Sequence, residues 1–133
     1  MKSINIYETN PPLQVFSDRR GVIADVFYNR DINHVAMLQS QPGVIRGNHY
    51  HKLTTQHILI TAGKLEYWYK PLDSDEPASC YVGKAGDLIT SEPNEVHAMR
   101  MLEYTEFVAF TEGVRGGQDY ESDTYRVDNI IAQ

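Results

Sequence analysis

The 133-residue chain has a formal charge of −6, 41% hydrophobic residues and nine tyrosines, the composition of a packed globule and not of a disordered tail. An acidic balance excludes a broad electrostatic footprint for nucleic acid or anionic membrane, although a few Arg and Lys side chains gathered in one pocket would serve a small anionic ligand. Cys80 is the lone cysteine, which excludes an intrachain disulfide and points to a reducing compartment. The N-terminal stretch MKSINIYETNPPL alternates polar and apolar residues unlike a signal peptide, and the run Ile58 to Ala62 is too short to span a bilayer. A cytoplasmic protein is expected.

In chain order, short alternating or β-branched runs predict strands at Gln14–Phe16, Val22–Tyr28, His34–Gln39, Val44–His51 and Gln56–Thr61. Further strands are predicted at Lys64–Lys70, Cys80–Val82, Asp87–Thr90, Val96–Met101 and Glu106–Thr111. Turn signals separate them at Asp18–Gly21, Asn29–Asn33, Gln41–Gly43, Ala62–Gly63, Pro71–Pro77, Lys84–Gly86 and Glu92–Glu95. Gly113 to Gln133 is compatible with a surface loop plus an edge strand, or with a short terminal helix. No helical period persists for three turns, so the expected architecture is one all-β domain over residues 1–133, a sandwich or closed barrel.

The informative stretch is GVIRGNHYHKLTTQHILITAG, from Gly43 to Gly63. His49 and His51 are two apart, so on one strand both imidazoles face the same way, roughly 7 Å apart along the chain, within reach of one metal ion or one substrate atom. Gln56 stands at an odd offset from His51, so a turn through Leu53–Thr55 has to re-aim it. Gln56, Ile58 and Ile60 then face inward and His57 outward. A second group, GDLITSEPNEVHAMRM, puts His97, Met99 and Met101 on one face of a strand. By the same reasoning His34 is a satisfied strand residue, His57 a surface residue, and Tyr67, Trp68 and Tyr69 are first of all sheet packing.

The spacings resemble those of the cupins. Gly43, His49, His51, Gln56 and Gly63 fit every interval of the first cupin motif, with Gln in place of Glu. Gly86, Glu92, Asn94, His97 and Met101 fill the intervals of the second, keeping its glycine and histidine. The resemblance implies a cupin-type double-stranded β-helix, a jelly-roll barrel. Asn94 suits the glycine position because Asn tolerates the left-handed conformation.

Within that superfamily, PGVIRGNHYHK, DRRGVIADVF and ESDTYRVDNI resemble dTDP-4-dehydrorhamnose 3,5-epimerases. They resemble still more closely the cupin domain of capsular-polysaccharide sugar epimerases and reductases, and the dTDP-sugar 3,4-ketoisomerases. The resemblance implies an isomerase or epimerase acting beside the keto group of a nucleotide-linked 4-keto-6-deoxy sugar. His49 is then the base and His51 its assistant or proton relay. Arg46 and Lys52 would contact phosphate or orient the sugar, with Tyr67 and Tyr69 as further substrate contacts. Ala109 stands where the 3,5-epimerases carry a tyrosine acid, which leaves Tyr50, Tyr67, Tyr69 and Tyr104 as candidate acids. Imidazole suits such proton transfer near neutral pH.

His49, His51, Gln56 and His97 are also a candidate site for one divalent ion (Zn, Ni, Fe or Mn), with no other cofactor expected. A tightly held metal would occupy the lone pairs that a base needs, so the two roles compete. The alternatives are a metal-dependent cupin acting on a small carbohydrate, sugar acid or other organic acid, and a non-catalytic sugar-binding module. No nucleic-acid or membrane partner is expected, and the resemblance implies a homodimer.

Overall fold

The computed structural model describes residues 1–113 and 122–132, and every described element is a β-strand. In order they are β1 Lys2–Asn5, β2 Val15–Asp18, β3 Gly21–Ala24, β4 His34–Ser40, β5 Ile45–Tyr50 and β6 Thr55–Ala62. They continue with β7 Lys64–Pro71, β8 Ser79–Lys84, β9 Asp87–Ser91, β10 Glu95–Met101, β11 Thr105–Glu112 and β12 Tyr125–Arg126.

Two five-stranded antiparallel sheets, β1-β9-β6-β11-β4 and β12-β5-β10-β7-β8, form the jelly roll, with β2-β3 as a separate hairpin. Hairpin geometry sets the β6–β7 corner. Gly63 has φ +91, and a Cβ there would lie 2.3 Å from the Tyr104 carbonyl oxygen, so only glycine fits.

The core lies between the two sheets. Ile58, Ile60, Ile89 and Phe107 from one meet Leu65, Tyr67, Met99 and Met101 from the other. Full burial of side chains of this size contributes about 1.5–3 kcal/mol each. A second cluster, Ile6, Leu59 and Leu88, sits on the outer face of the first sheet under Ile4, Ala24, Val26 and Phe27. That sheet is therefore covered on both faces at β6, which explains why HILI there is buried without alternation.

Two sequence expectations change, and one alternative for the terminal segment is met. β1, not among the predicted strands, pairs with β9 from Lys2↔Thr90 to Asn5↔Asp87. β3 ends at Ala24 instead of running to Tyr28, because the chain leaves the hairpin to lay Val26 and Phe27 over the outer cluster. Of the segment Gly113 to Gln133, residues 114–121 and 133 lie outside the described residues, and Tyr125–Arg126 adds to the edge of β5 as a short strand. No described helix is long and apolar enough to cross a membrane.

Candidate functional site

The site is built on β5, whose partner β10 shifts register between His97 and Ala98. His49 pairs with His97 and Gly47 with Ala98, leaving Asn48 as the additional residue of a β-bulge. Gly47 and Asn48 both have positive φ, +93 and +59. A Cβ on Gly47 would lie 2.8 Å from the His97 carbonyl oxygen, so the close approach of the two strands itself requires glycine. The chain after β12 grips the bulge: Val127 N–H donates to the Asn48 carbonyl (3.0 Å) and Ile130 N–H to Asn48 Oδ1 (2.9 Å). Asn48 Nδ2 donates to Asn129 Oδ1 (3.2 Å).

The bulge brings His49, His51 and His97 together, as the sequence spacing predicts. Ring centroids are 4.9 Å apart for His49–His51, 4.7 Å for His49–His97 and 5.5 Å for His51–His97. One nitrogen from each ring lies within 4.8 Å of the others. Only His49 lines the adjoining cavity, while His51 and His97 are 2% and 1% exposed behind it.

Two of the rings have their tautomers set by carbonyls, which can only accept. His51 Nδ1 donates to the Asp123 carbonyl at 2.8 Å. His97 Nδ1 is 3.2 Å from the Glu95 carbonyl and 3.1 Å from Ser91 Oγ. In the neutral rings the basic nitrogen is then Nε2, the arrangement that outer partners impose on metal-binding or proton-transferring histidines. The donor set fits a divalent first-row ion: three imidazoles converge, and Gln56 lines the same cavity from the opposite sheet.

The cavity, of about 420 Å³, runs between the sheets. Its apolar wall is Ala36, Leu38, Met99, Phe107 and Ala109, and its polar groups are His34, Arg46, His49, Gln56 and Arg126. No carboxylate is among its described lining residues, although the chain as a whole is acidic. Arg46 crosses the barrel from β5 to β4, donating from Nε to Ser40 Oγ (2.7 Å) and from its guanidinium to the Gln39 carbonyl (3.3 Å).

Several expected site residues stand elsewhere. Lys52 is exposed and places Nζ 4.4 Å from the centroid of the Tyr125 ring, which stacks on Tyr50; neither Lys52 nor Tyr50 lines the cavity. Tyr67 is buried in the core, stacked on His97 with centroids 5.9 Å apart, and Tyr69 packs beside it, so both support the histidines from behind. Burial pushes the Tyr67 hydroxyl well above the ordinary tyrosine range, so it stays protonated. Tyr104 is exposed at the β10–β11 turn and bonds Glu106.

The other two histidines also differ from expectation. His57 does face out of the barrel, but it is 2% exposed instead of lying on the surface. Phe27 packs on its ring edge, and its nitrogens meet Thr90 Oγ1 (2.7 Å) and Glu112 Oε2 (2.8 Å). His34 lines the cavity, and its alternation with Ala36 and Leu38 along β4 is the sequence signal for that. Arg126 and Asp123 have no such signal, since the fold of the terminal segment alone brings them to β5.

The comparisons with known proteins agree with this architecture. A family model described as the polysaccharide biosynthesis C-terminal domain matches residues 16–125. Among curated proteins none matches at a significant level. Of the solved structures, a 3,4-ketoisomerase from Helicobacter canadensis is 16% identical with a TM-score of 0.74, covering 95% of this chain and 90% of that one. The dTDP-4-dehydrorhamnose 3,5-epimerase of Bacillus anthracis, solved with TDP and PPi bound, is 18% identical with a TM-score of 0.67, covering 90% and 82%. The capsular polysaccharide assembling protein CapF of Staphylococcus aureus is 22% identical with a TM-score of 0.62, covering 90% of this chain but only 34% of its own length. At these identities the likeness is one of fold, the cupin-type jelly roll. With the family match extending over most of its length, the chain belongs to the polysaccharide biosynthesis C-terminal domain family.

Proposed function

We propose that this protein is a sugar-nucleotide isomerase or epimerase that moves a proton beside the keto group of a nucleotide-linked 4-keto-6-deoxy sugar. The observation that carries the reading is the lining of the cavity: two arginines, two histidines and no carboxylate among the described residues of an otherwise acidic protein. Such a lining selects an anionic ligand, and a diphosphate at the Arg46–Arg126 side meets that requirement. Solved proteins of the same fold support the class: their names are dTDP-4-dehydrorhamnose 3,5-epimerase and 3,4-ketoisomerase, and the B. anthracis epimerase was solved with TDP.

In this reading the sugar lies against Ala36, Leu38, Phe107 and Ala109 with its acidic carbon toward His49, the one member of the imidazole cluster that lines the cavity. His49 takes the proton, and His51 behind it shares the charge that develops. Gln56, with Arg46 left to the diphosphate, donates from its amide N–H to the enolate oxygen. The reading extends to a homodimer, for which the edge strand β4 with exposed Val35 and Met37 offers a surface, and to a cytoplasmic location, which the lone Cys80 supports.

The test is solvent deuterium exchange into dTDP-4-keto-6-deoxy sugars. The wild type incorporates deuterium and His49→Ala does not; no exchange across a panel of such sugars sinks the reading. The second reading, a metal-dependent cupin acting on another small carbohydrate or organic acid, is favoured by the convergence of three nitrogens within 4.8 Å. There His49, His51 and His97, with Gln56, would hold a divalent ion supplying Lewis-acid chemistry. Elemental analysis of protein purified without added metal separates the two. Stoichiometric metal lost on His97→Ala excludes His49 as a free base.

A further inference from the structure

We infer that Asp123 is a positioning residue: its backbone carbonyl selects the tautomer of His51, and its own carboxylate holds that carbonyl in place. The inference rests on the reading of His51 as a working member of the site. It joins two contacts of one residue that lies 72 positions from His51.

The first contact is the 2.8 Å hydrogen bond from His51 Nδ1 to the Asp123 carbonyl. The other tautomer would point a nitrogen lone pair at that oxygen, so the proton stays on Nδ1 only while the carbonyl stays where it is. The second contact keeps it there. One carboxylate oxygen of Asp123 accepts from Lys52 N–H (3.0 Å) and the other from Leu53 N–H (2.8 Å), the two residues that follow His51. Ring, carbonyl, carboxylate and backbone close a cycle, so the ring cannot turn without breaking the clamp on its own loop. Asp123 is 4% exposed, which shields the cycle from competing water.

The contrast with His97 shows why the device is specific. The carbonyl facing His97 Nδ1 belongs to Glu95, two residues away on the same strand, and needs no outside support. His51 lies just beyond the end of β5 and leads into a bend, so its tautomer depends on a distant segment.

The experiment compares wild type, Asp123→Asn and Asp123→Ala by long-range ¹H–¹⁵N correlation of the histidine rings, His51 being assigned from His51→Gln. Deuterium exchange into the sugar nucleotide is measured alongside. The wild type should show His51 as a single tautomer protonated at Nδ1. Asp123→Ala should show mixed tautomers and exchange slowed about 10- to 100-fold, the usual cost of losing an outer partner of a site histidine. Asp123→Asn keeps one acceptor and should fall between, and it decides the matter if the alanine variant does not fold. A His51 that remains a single Nδ1-protonated tautomer in a folded Asp123→Ala, or an Asp123→Asn indistinguishable from wild type in tautomer, overturns the inference. A wild type that turns over no sugar nucleotide defeats the proposed function instead, and the ring spectra still answer the question about Asp123.

Discussion

Arg46 and His49 are three residues apart on β5, yet both reach the same cavity. On a regular strand an odd separation sends side chains to opposite faces. Here the bulge at Gly47–Asn48 restores the parity: Arg46 lies opposite Met99 and His49 opposite His97, so three steps on β5 match two on β10. The cation and the candidate base share a pocket because one additional residue separates them.

Asn48 should therefore be costly to replace. Asn48→Ala puts an ordinary side chain at φ +59 and deletes the hydrogen bonds to Ile130 and Asn129, for a loss of about 2–3 kcal/mol. Asn48→Gly relieves the backbone but not the lost bonds, and should recover about 1 kcal/mol of that loss. Denaturant unfolding of both variants checks the order; an Asn48→Gly variant as stable as wild type would show that the side chain grips nothing.

Gly47→Ala is expected to disturb both the fold and the histidine cluster. The added Cβ meets the His97 carbonyl at 2.8 Å and the Ala98 Cα at 3.0 Å, both backbone atoms, so β5 and β10 must separate exactly where the histidines converge. A loss of about 2 kcal/mol or more in stability is expected from the strain. If the protein binds metal, its affinity should fall as well. Thermal unfolding with and without added zinc reads both.

Ala36 and Ala109 are register partners on β4 and β11, and both line the cavity. Their small side chains are the reason for the empty space there. Ala109 is itself a buried member of the core, so Ala109→Phe projects into that space at some cost in stability, and in the folded variant dTDP affinity should drop by about tenfold, 1.4 kcal/mol, or more. Isothermal titration with dTDP measures this, and unchanged affinity would place the ligand elsewhere.

The contacts of Glu112 with Arg30 and His57 on the outer face set an acid limit on stability. Hydrogen bonds from Arg30, and then from His57, hold the Glu112 carboxyl below its ordinary value of 4.5. Because the folded value is depressed, this contribution is complete above the ordinary carboxylate range and is lost as pH falls through the lowered value. Melting temperatures from pH 7 down to pH 3 should therefore drop more steeply for wild type than for Glu112→Gln, the curves converging at the acid end.

Much of this protein is written in local pattern. Alternation of inward and outward residues and the turn residues between them marked ten of the twelve described strands. The two-residue step between His49 and His51 determined that their rings share a face, whatever surrounds them. The alternation that carries His34 inward with Ala36 and Leu38 on β4 was also present, although it marked His34 only as a satisfied strand residue. Tertiary structure decided the rest, since it depends on pairings between distant segments that no local period encodes. The bulge that turns Arg46 inward exists only against β10, and His57 is buried because Phe27 folds over it. Lys52 lies outside the cavity because it turns toward Tyr125, and Asp123 and Arg126 reach the histidines only because the terminal segment lies along β5.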